Sequence, residues 1–333
     1  MSRTANKRLV IICSFILIVF SSLKSPASSF DVGNYFIYFS ERAPLLSEFS
    51  YFDWQHYEKG FVLINSIFKT LFQDNLELGF FALNLFISTS VITIYGYVFN
   101  KLSINPLLSL GIYVAVFYFK TEIITIRFGI ASSIYILSIY YLQKNKYLLS
   151  FLTLLLALQF HNGAIVCFVV FLLYKLRLDS LKVILLLLSS LVVSFAEPIK
   201  IIAALFSLPY QIVRYLNAGD EGSIKRFLMY MPFLLYVLFY PKKFLVYGNT
   251  FRVMFCSFLA AFLVGITFDS IAVLGRLNQI LMVSIVILYP IIIDSSRFKF
   301  NRYFAHLVIH FWMLYMFMRQ VFFNSGGTIN VFW

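Results

Sequence analysis

Apolar residues run along this chain in long stretches that short polar segments separate. The stretches fall at about 9–23, 78–99, 104–119, 123–142, 147–174, 181–197, 227–240, 250–268, 277–293 and 303–323. A membrane-spanning helix needs about 20 apolar residues, because each residue adds only about 1.5 Å to its length. The pattern therefore predicts an all-α, polytopic membrane protein with about ten or eleven transmembrane segments, folded as a single membrane domain over residues 1–333.

Composition excludes an ordinary soluble protein. Hydrophobic residues make up 61% of the chain and charged residues 12%, whereas soluble domains average about 45–50% and about 25%. The polar residues are too few to cover a water-soluble particle of this size. Cys13, Cys167 and Cys256 each lie within an apolar run without CxxC spacing, so neither a disulfide framework nor a thiolate metal site is predicted.

The formal net charge of +13 would point to nucleic acid in a soluble chain. Here most Lys and Arg residues lie in short loops between apolar runs, which the positive-inside rule explains, so no nucleic-acid partner is expected. Arg3, Lys7 and Arg8 precede the apolar stretch Leu9–Phe20, as in a signal peptide. Because many further spans follow, we expect an uncleaved first helix.

The topology depends on the run at 147–174, which is long for one helix and short for two, and which Asn162-Gly163 interrupts. As a hairpin it places fifteen Lys and Arg residues inside and twelve outside; as a single span it reverses these numbers. The positive-inside rule favours the hairpin, with an inside N-terminus and an outside C-terminus. Its legs would each reach only about 21 Å across a core of about 30 Å, so short or re-entrant legs are expected.

Two outer segments are long enough to carry function. Residues 24–77 form a first periplasmic loop that contains seven acidic residues and the amphipathic stretch Phe61–Phe72, which we expect to lie against the membrane surface. Residues 198–226 form a second one with the turn-like sequence Asn217-Ala-Gly-Asp-Glu-Gly222. The composition of this second loop favours a lid or a partly embedded segment.

Four arginines lie at or near the outer ends of apolar runs: Arg127, Arg214, Arg276 and Arg319. Each one alone is explained by an interfacial anchor, since an arginine there must snorkel, pair or face a polar cavity. Four on one side favour a second interpretation, because guanidinium groups bind phosphate and pyrophosphate by two-point hydrogen bonding. The hypothesis that follows is an anionic, lipid-linked substrate.

His161 stands at the interruption of the 147–174 run, where backbone groups lack helical partners. It is either a packing or capping residue, or a general base or hydrogen-bond donor that titrates near neutral pH. His306 and His310 have the i, i+4 spacing of zinc ligands, but a third ligand is not evident, so no metal site is predicted. The chain contains no Walker loop, GxGxxG or GxSxG sequence, which leaves nucleotide-driven transport and serine hydrolysis without support.

The order of several short motifs resembles the EpsG family of polysaccharide-assembly proteins, which are similar in role to Wzy-type O-antigen and capsule polymerases. The similarity is carried by motif order over residues 1–175, and over the rest by helix count and Gly275-Arg-Leu277. The motifs are Asp31-Val-Gly-Asn-Tyr35, Glu58-Lys-Gly-Phe61, Ile126-Arg-Phe-Gly-Ile130 and Leu158-Gln-Phe-His-Asn-Gly-Ala164.

This resemblance implies a GT-C-like glycosyltransferase of the bacterial inner membrane with a periplasmic active site. It would transfer a glycan from undecaprenyl pyrophosphate to the sugar of another lipid-linked repeat unit, producing O-antigen, capsule or exopolysaccharide. The donor is already activated, so no cofactor is expected; membrane lipid and a chain-length regulator are further candidate partners. The arginine and histidine that recur in the family fall on Arg127 and His161, followed here by Phe128 and Asn162 where the family often has Gln and Ser or Tyr.

The predicted site follows from this chemistry. Arg127, Arg214 and Arg276, with Arg319 as a fourth, would bind the leaving pyrophosphate. His161, Asp31 or Glu58 would accept the proton of the attacking hydroxyl or orient the sugar, and His161 is preferred. A lipid-linked oligosaccharide flippase is the main alternative, because charged residues and broken helices also mark transport paths; a related ligase and a membrane O-acyltransferase are further ones.

Overall fold

A computed structural model describes residues 3–51, 57–176, 178–195, 230–268, 274–295 and 299–319. Within these ranges the regular structure is helical throughout, and no β-strand occurs. The predicted all-α fold class is therefore confirmed. The second outer loop, 198–226, lies outside the described residues.

The α-helices follow one another with short connections. They are α1 (Arg3–Ser22), α2 (Phe30–Ile37), α3 (Lys59–Leu71), α4 (Leu76–Leu102), α5 (Pro106–Tyr113), α6 (Ile126–Gln143), α7 (Tyr147–Leu158), α8 (Val169–Lys175), α9 (Ser180–Phe195), α10 (Met231–Phe239), α11 (Gly248–Thr267), α12 (Leu274–Met282), α13 (Ile285–Ser295) and α14 (Lys299–Met318). Tighter 3₁₀ segments lie at Pro26–Ser28, Leu46–Glu48, Asn162–Phe168 and Pro241–Tyr247, and wider π-helical segments at Tyr38–Arg42 and Val114–Ile124.

Several helices have the length and composition of membrane spans. In the described part of the chain, four stretches are long and apolar enough to cross a bilayer: Leu76–Leu102, Pro106–Ile124, Gly248–Thr267 and Asn278–Ser295. Shorter apolar helices occupy Tyr147–Leu158, Asn162–Lys175, Ser180–Phe195 and Tyr303–Met318. The molecule is thus a polytopic helical membrane protein.

Side-chain caps set the starts of two of these spans. The Asn75 side chain accepts a hydrogen bond from the Leu78 N–H at 3.0 Å before α4, and Asn105 does the same for Leu108 at 3.2 Å before α5. Pro106 follows at the first position of α5, where a missing N–H costs nothing. These caps satisfy backbone donors that the helices leave unpaired, so the apolar runs begin where the sequence changes from Asn to apolar residues.

The chain divides into two compact units, one comprising residues 1–162 and 289–333 and the other residues 163–288. In the first unit, α4 packs on α1, α3 and α6, and α6 packs on α7. Two serines join α6 to α7: Ser138 Oγ donates to the Ser150 carbonyl at 2.7 Å, and Ser150 Oγ donates to the Ser138 carbonyl at 2.8 Å. Such small residues let two helices approach closely inside a membrane.

In the second unit, α11 is the central helix. It packs on α8, α9 and α12, and Val253, Phe258 and Ala261 on it are fully buried. Ser257 Oγ donates to the Leu281 carbonyl at 2.7 Å, which ties α11 to α12. An apolar run in the sequence thus becomes a helix surrounded by protein on most sides.

The predicted interruption of the 147–174 run is confirmed. Helix α7 ends at Leu158, and a 3₁₀ segment begins at Asn162. The turn between them contacts the start of α3, since the Gly60 N–H donates to the Gln159 carbonyl at 2.8 Å. A Cβ on Gly60 would lie 2.7 Å from that carbonyl oxygen, so the close approach requires glycine. The hairpin topology itself stays a prediction.

The amphipathic stretch of the first outer loop forms α3, as expected. Helix α3 packs on α4, where the rings of Phe68 and Phe86 lie 5.4 Å apart, and Phe61 and Val62 are fully buried. This face of α3 therefore meets protein, whereas the sequence had led us to expect contact with the membrane surface.

Candidate functional site

Arg127 and Glu58 form an ion pair in the first unit. Arg127 lies in the first turn of α6 and Glu58 directly precedes α3. Nη1 of the arginine donates to Oε2 of the glutamate, and the side chains are 23% and 9% exposed. Both residues were predicted for the site, but not as partners. A largely buried, charge-assisted hydrogen bond fixes the guanidinium firmly, because little water competes for it.

Aromatic side chains surround this ion pair, and we call Tyr35, Tyr38, Tyr57 and Phe61 the tyrosine cage. The Arg127 Cζ lies 4.4 Å from the ring centre of Tyr57 and 5.9 Å from that of Tyr35. Phe61 lies 5.5 Å from both of these rings, and the rings of Tyr38 and Tyr57 are 4.5 Å apart. A guanidinium over aromatic faces is stabilised by the ring quadrupole.

Local sequence explains how the cage forms. Ser29 caps α2 by accepting a hydrogen bond from the Val32 N–H at 3.2 Å, which fixes where the helix starts. From that start, Tyr35 and Tyr38 are three residues apart in continuous helical backbone and lie on the same side. Both are buried, with exposures of 6% and 3%.

Burial also determines the protonation of the tyrosines. It raises the pKa of Tyr35 and of Tyr57 above the usual value, although Arg127 acts in the opposite direction on both. The pKa of Tyr38 rises to about 12, again through burial. All three phenols therefore remain protonated hydrogen-bond donors at neutral pH.

His161 lies next to the ion pair, in the turn after α7. Its backbone N–H donates to the Ala157 carbonyl at 3.1 Å, and its ring meets that of Phe128 edge to face at 5.5 Å. Burial lowers the pKa of His161 below its ordinary value; Glu58 opposes this shift and Arg127 adds to it. The imidazole is therefore neutral at pH 7.

Glu58 links the arginine to the turn that carries His161. While Oε2 pairs with Arg127, Oε1 accepts a hydrogen bond from the Asn162 N–H at 3.1 Å. The side chain of Gln159, in the same turn, accepts from the Tyr51 hydroxyl at 2.9 Å. One carboxylate thus joins three segments that are distant in sequence.

A buried polar cluster lies beside the first turn of α6. Glu122 Oε1 accepts hydrogen bonds from the Tyr113 hydroxyl at 2.7 Å and from Thr121 Oγ1 at 3.1 Å. The Lys24 ammonium, fully buried, donates to the Glu122 carbonyl at 2.6 Å. A Cβ on Gly129 would overlap the Thr121 carbonyl and lie 3.0 Å from Glu122 Oε1. The cluster and this glycine together fix the start of α6, and with it Arg127.

Two buried polar atoms of the site have no hydrogen-bond partner among the described residues: the Tyr38 hydroxyl oxygen and Arg127 Nε. Buried polar atoms in proteins are nearly always paired. Both atoms belong to side chains of the cage and the ion pair, so each of these two side chains has a hydrogen-bond donor that the described contacts leave available.

The other predicted site residues have different positions. Asp31 lies in the first turn of α2, where its charge adds to the effect of burial on the pKa of Tyr35 and Tyr57. Arg319 is partly exposed one residue beyond α14. Arg276 is on α12 in the second unit, and its side chain is not described. Arg214 lies outside the described residues.

Sequence analysis missed the tyrosines, Lys24 and Glu122. Tyr35 lies in the Asp31–Tyr35 motif, and the four-residue spacing of Asp31 and Tyr35 places them on one helical face, which was a usable signal. Lys24 and Glu122 lie at the ends of apolar runs, where a charged residue has ordinary interfacial explanations. In the described part of the chain, no group of three or more His, Cys, Asp or Glu side chains is arranged to bind a metal ion.

Comparison with known proteins identifies the family of the chain. Neither the curated proteins nor the solved structures contain a significant match to this chain. A family model, described as the EpsG family, matches residues 7–332. The chain therefore belongs to the EpsG family, related to Wzy-type polysaccharide polymerases, and has a polysaccharide polymerase-like role.

Proposed function

We propose that this protein is a membrane glycosyltransferase that extends a polysaccharide from lipid-linked units. The donor is a glycan on undecaprenyl pyrophosphate, and the acceptor is a sugar hydroxyl of another lipid-linked repeat unit. The reaction takes place on the periplasmic side of the bacterial inner membrane. The observation that carries this proposal is the buried Arg127–Glu58 ion pair inside the tyrosine cage, with neutral His161 beside it.

In this proposal Arg127 binds the pyrophosphate. Negative charge grows on the leaving group as the glycosidic bond breaks, and a preorganised guanidinium in a dry site stabilises it strongly. Glu58 and Tyr57 fix the plane of the guanidinium. Arg127 Nε is buried without a partner in the described structure, so this N–H is suited to a phosphate oxygen.

His161 is the proposed general base. The acceptor hydroxyl oxygen attacks the anomeric carbon, the bond from that carbon to the pyrophosphate oxygen breaks, and the pyrophosphate leaves with the electron pair. The hydroxyl proton passes to the imidazole, which its lowered pKa keeps neutral and able to accept it. Glu58 has both oxygens engaged, with Arg127 and with the Asn162 N–H, and it acts as a positioning residue.

The tyrosine cage gives the sugar a place to bind. Aromatic rings contact the apolar faces of sugar rings, and buried phenol groups donate hydrogen bonds to sugar hydroxyls. The partly exposed ring of Tyr57 is suited to the first contact, and Tyr38 to the second, since its hydroxyl has no partner in the described structure.

Deletion of the gene in its native host tests the function. Lipid-linked glycan would be extracted and separated on a gel. A polymerase defect leaves single repeat units on the lipid and at the surface, because the unit is still made and still crosses the membrane. Loss of all surface glycan together with accumulation inside the cell would instead indicate a flippase and overturn the proposal.

A purified system tests the site. Protein in liposomes with lipid-linked repeat units should form polymer, and Glu58→Gln should slow polymer formation because the guanidinium loses its ionic partner. Glu48→Gln is the matched control, since Glu48 lies in the same outer loop and bonds the nearby Leu45 N–H at 3.2 Å. Equal rates for the two variants would contradict the role of the ion pair.

A further inference from the structure

A separate cleft lies in the second unit, at the start of α9 and of α11. Its volume is about 430 Å³. Its lining comes from the 3₁₀ segment Pro241–Tyr247, from the end of α10 and from the N-terminal parts of α9 and α11. The residues that define it are Ser180, Val183, Phe244, Asn249, Arg252 and Phe255.

Polar groups form part of the lining of this cleft. Asn249 lies in the first turn of α11, and Gly248 before it has a left-handed φ of +52° with open space where a Cβ would point. One turn further, the Arg252 guanidinium stacks on the Tyr174 ring at 4.4 Å and donates to the Tyr174 carbonyl. Arginine, an amide side chain and the N-terminal turn of a long helix are all groups that bind phosphate oxygens.

Basic residues lie close in sequence to the lining of the cleft. Lys175, Lys182 and Lys242 are exposed, and each lies within three residues of a lining residue. The acidic lining residue is Asp179. Its carboxylate forms an ion pair with Lys182 Nζ at 3.2 Å and accepts a hydrogen bond from the Lys182 backbone N–H at 2.8 Å. The net charge of these five ionisable groups, with Arg252 included, is therefore positive.

Much of the lining of the cleft is apolar, and several hydrophobic side chains close to it in sequence are exposed. Val183 and Phe244 are buried in the wall. Outside it, Leu181, Phe239 and Val246 are 66%, 74% and 89% exposed. An arginine-lined cleft with exposed lysines and exposed apolar side chains close to it in sequence is typical of a site at the boundary between water and lipid.

We propose that this cleft binds the phosphate headgroup of an anionic membrane phospholipid. Arg252 and Asn249 contact the phosphate, Lys175 and Lys242 attract it, and the acyl chains extend along the exposed apolar side chains. The charge bias of the sequence predicts that residues 175–182 face the cytoplasm, where anionic headgroups attract basic segments. The site is separate from the proposed glycosyl transfer, since none of its lining residues is assigned a part in that reaction.

The test measures lipid retention by the purified full-length protein. The protein would be incubated with vesicles of phosphatidylglycerol mixed with phosphatidylcholine, re-isolated in detergent, and its bound phospholipid counted by native mass spectrometry. We expect phosphatidylglycerol to be retained in preference to phosphatidylcholine. The double variant Lys175→Glu/Lys242→Glu should retain at least about tenfold less, because each basic residue near an anionic surface contributes appreciably to binding.

The matched control is Lys101→Glu/Lys144→Glu, which changes the same number of exposed lysines in predicted inner loops of the first unit. Its retention should equal that of the unchanged protein. Equal retention by both double variants would overturn the proposal, as would a loss of phosphatidylglycerol on adding millimolar inorganic phosphate, since a site for the free ion needs no lipid. Thermal unfolding in phosphatidylcholine should be the same for all proteins, which confirms that the substituted chains fold.

Discussion

The Glu58 carboxylate pairs with the Arg127 guanidinium across 69 positions of sequence, and its second oxygen accepts the Asn162 N–H. Glu58 is thus the contact through which the first outer loop, α6 and the turn after α7 meet. Breaking a buried ion pair by removing one partner leaves the other charge uncompensated, at a cost of about 3–5 kcal/mol. The pair therefore matters both for folding and for the proposed chemistry.

Arg127→Lys should reduce polymer formation by about 10²-fold, because lysine keeps the positive charge but loses the planar fork that fits both Glu58 and a phosphate. Rates would be measured in liposomes containing equal amounts of folded protein. Arg8→Lys, at an exposed position of α1, is the control and should be fully active. An Arg127→Lys protein with the control's rate and product length would contradict the assignment of the pyrophosphate site.

The pH dependence of the rate reports on His161. Burial holds its pKa below the ordinary 6.5, so the neutral base predominates at pH 7 and the rate should be flat from neutral to mildly alkaline pH. As pH falls through the lowered pKa, protonation removes the base and the rate should drop. In His161→Gln this acid limb should disappear, and the plateau should be about 10²- to 10⁴-fold lower.

An unchanged acid limb in His161→Gln would assign the titration to another group and remove His161 as the base. Lipid-substrate binding by the variant should remain near normal, because the proposed pyrophosphate contact is made by Arg127. Binding would be measured separately from turnover with the lipid-linked unit alone.

Gly129→Ala should lower both thermal stability and activity. The added methyl group would overlap the Thr121 carbonyl, so α6 has to move and Arg127 moves with it. Gly111→Ala is the matched control in a neighbouring helix, because the nearest atom there is the flexible end of Met313 at 3.1 Å. Unfolding temperature and rate would be compared for both, and equal effects would show that the contact with Thr121 is not special.

Cysteine labelling tests the predicted topology. The variants Asp74→Cys and Lys182→Cys, both at exposed positions, would be made in a protein whose native cysteines have been replaced. Cells that express them would be treated with a membrane-impermeant thiol reagent. The position in the first outer loop should react from outside and Lys182→Cys should react only after permeabilisation. Reaction of Lys182→Cys in intact cells would favour the single-span alternative for 147–174.

The sequence alone predicted the membrane class, the family and three of the residues that meet at the candidate site: Arg127, Glu58 and His161. Runs of apolar residues dictate helices in lipid. Arg127 and His161 stand out because a charged or titratable group in or beside an apolar run is costly unless it is paired or functional. Pairing across 69 positions leaves no periodic signal, so Glu58 was found as a candidate but not as the partner of Arg127. Tyr38 and Lys24 were missed because tyrosine and lysine near a membrane boundary have ordinary explanations.

The serine-bonded pair of α6 and α7 has a consequence for biosynthesis. The helices are antiparallel neighbours. Ser138 bonds Ser150, and the ring of Phe128, near the start of α6, meets that of His161, just after the end of α7. Their contacts are local in sequence, so this helical hairpin can form as soon as it leaves the ribosome and enters the bilayer. By then residues 1–125, with Glu58 among them, have already been synthesised. Formation of this hairpin would therefore bring Arg127 and His161 together before the remaining half of the chain has been made.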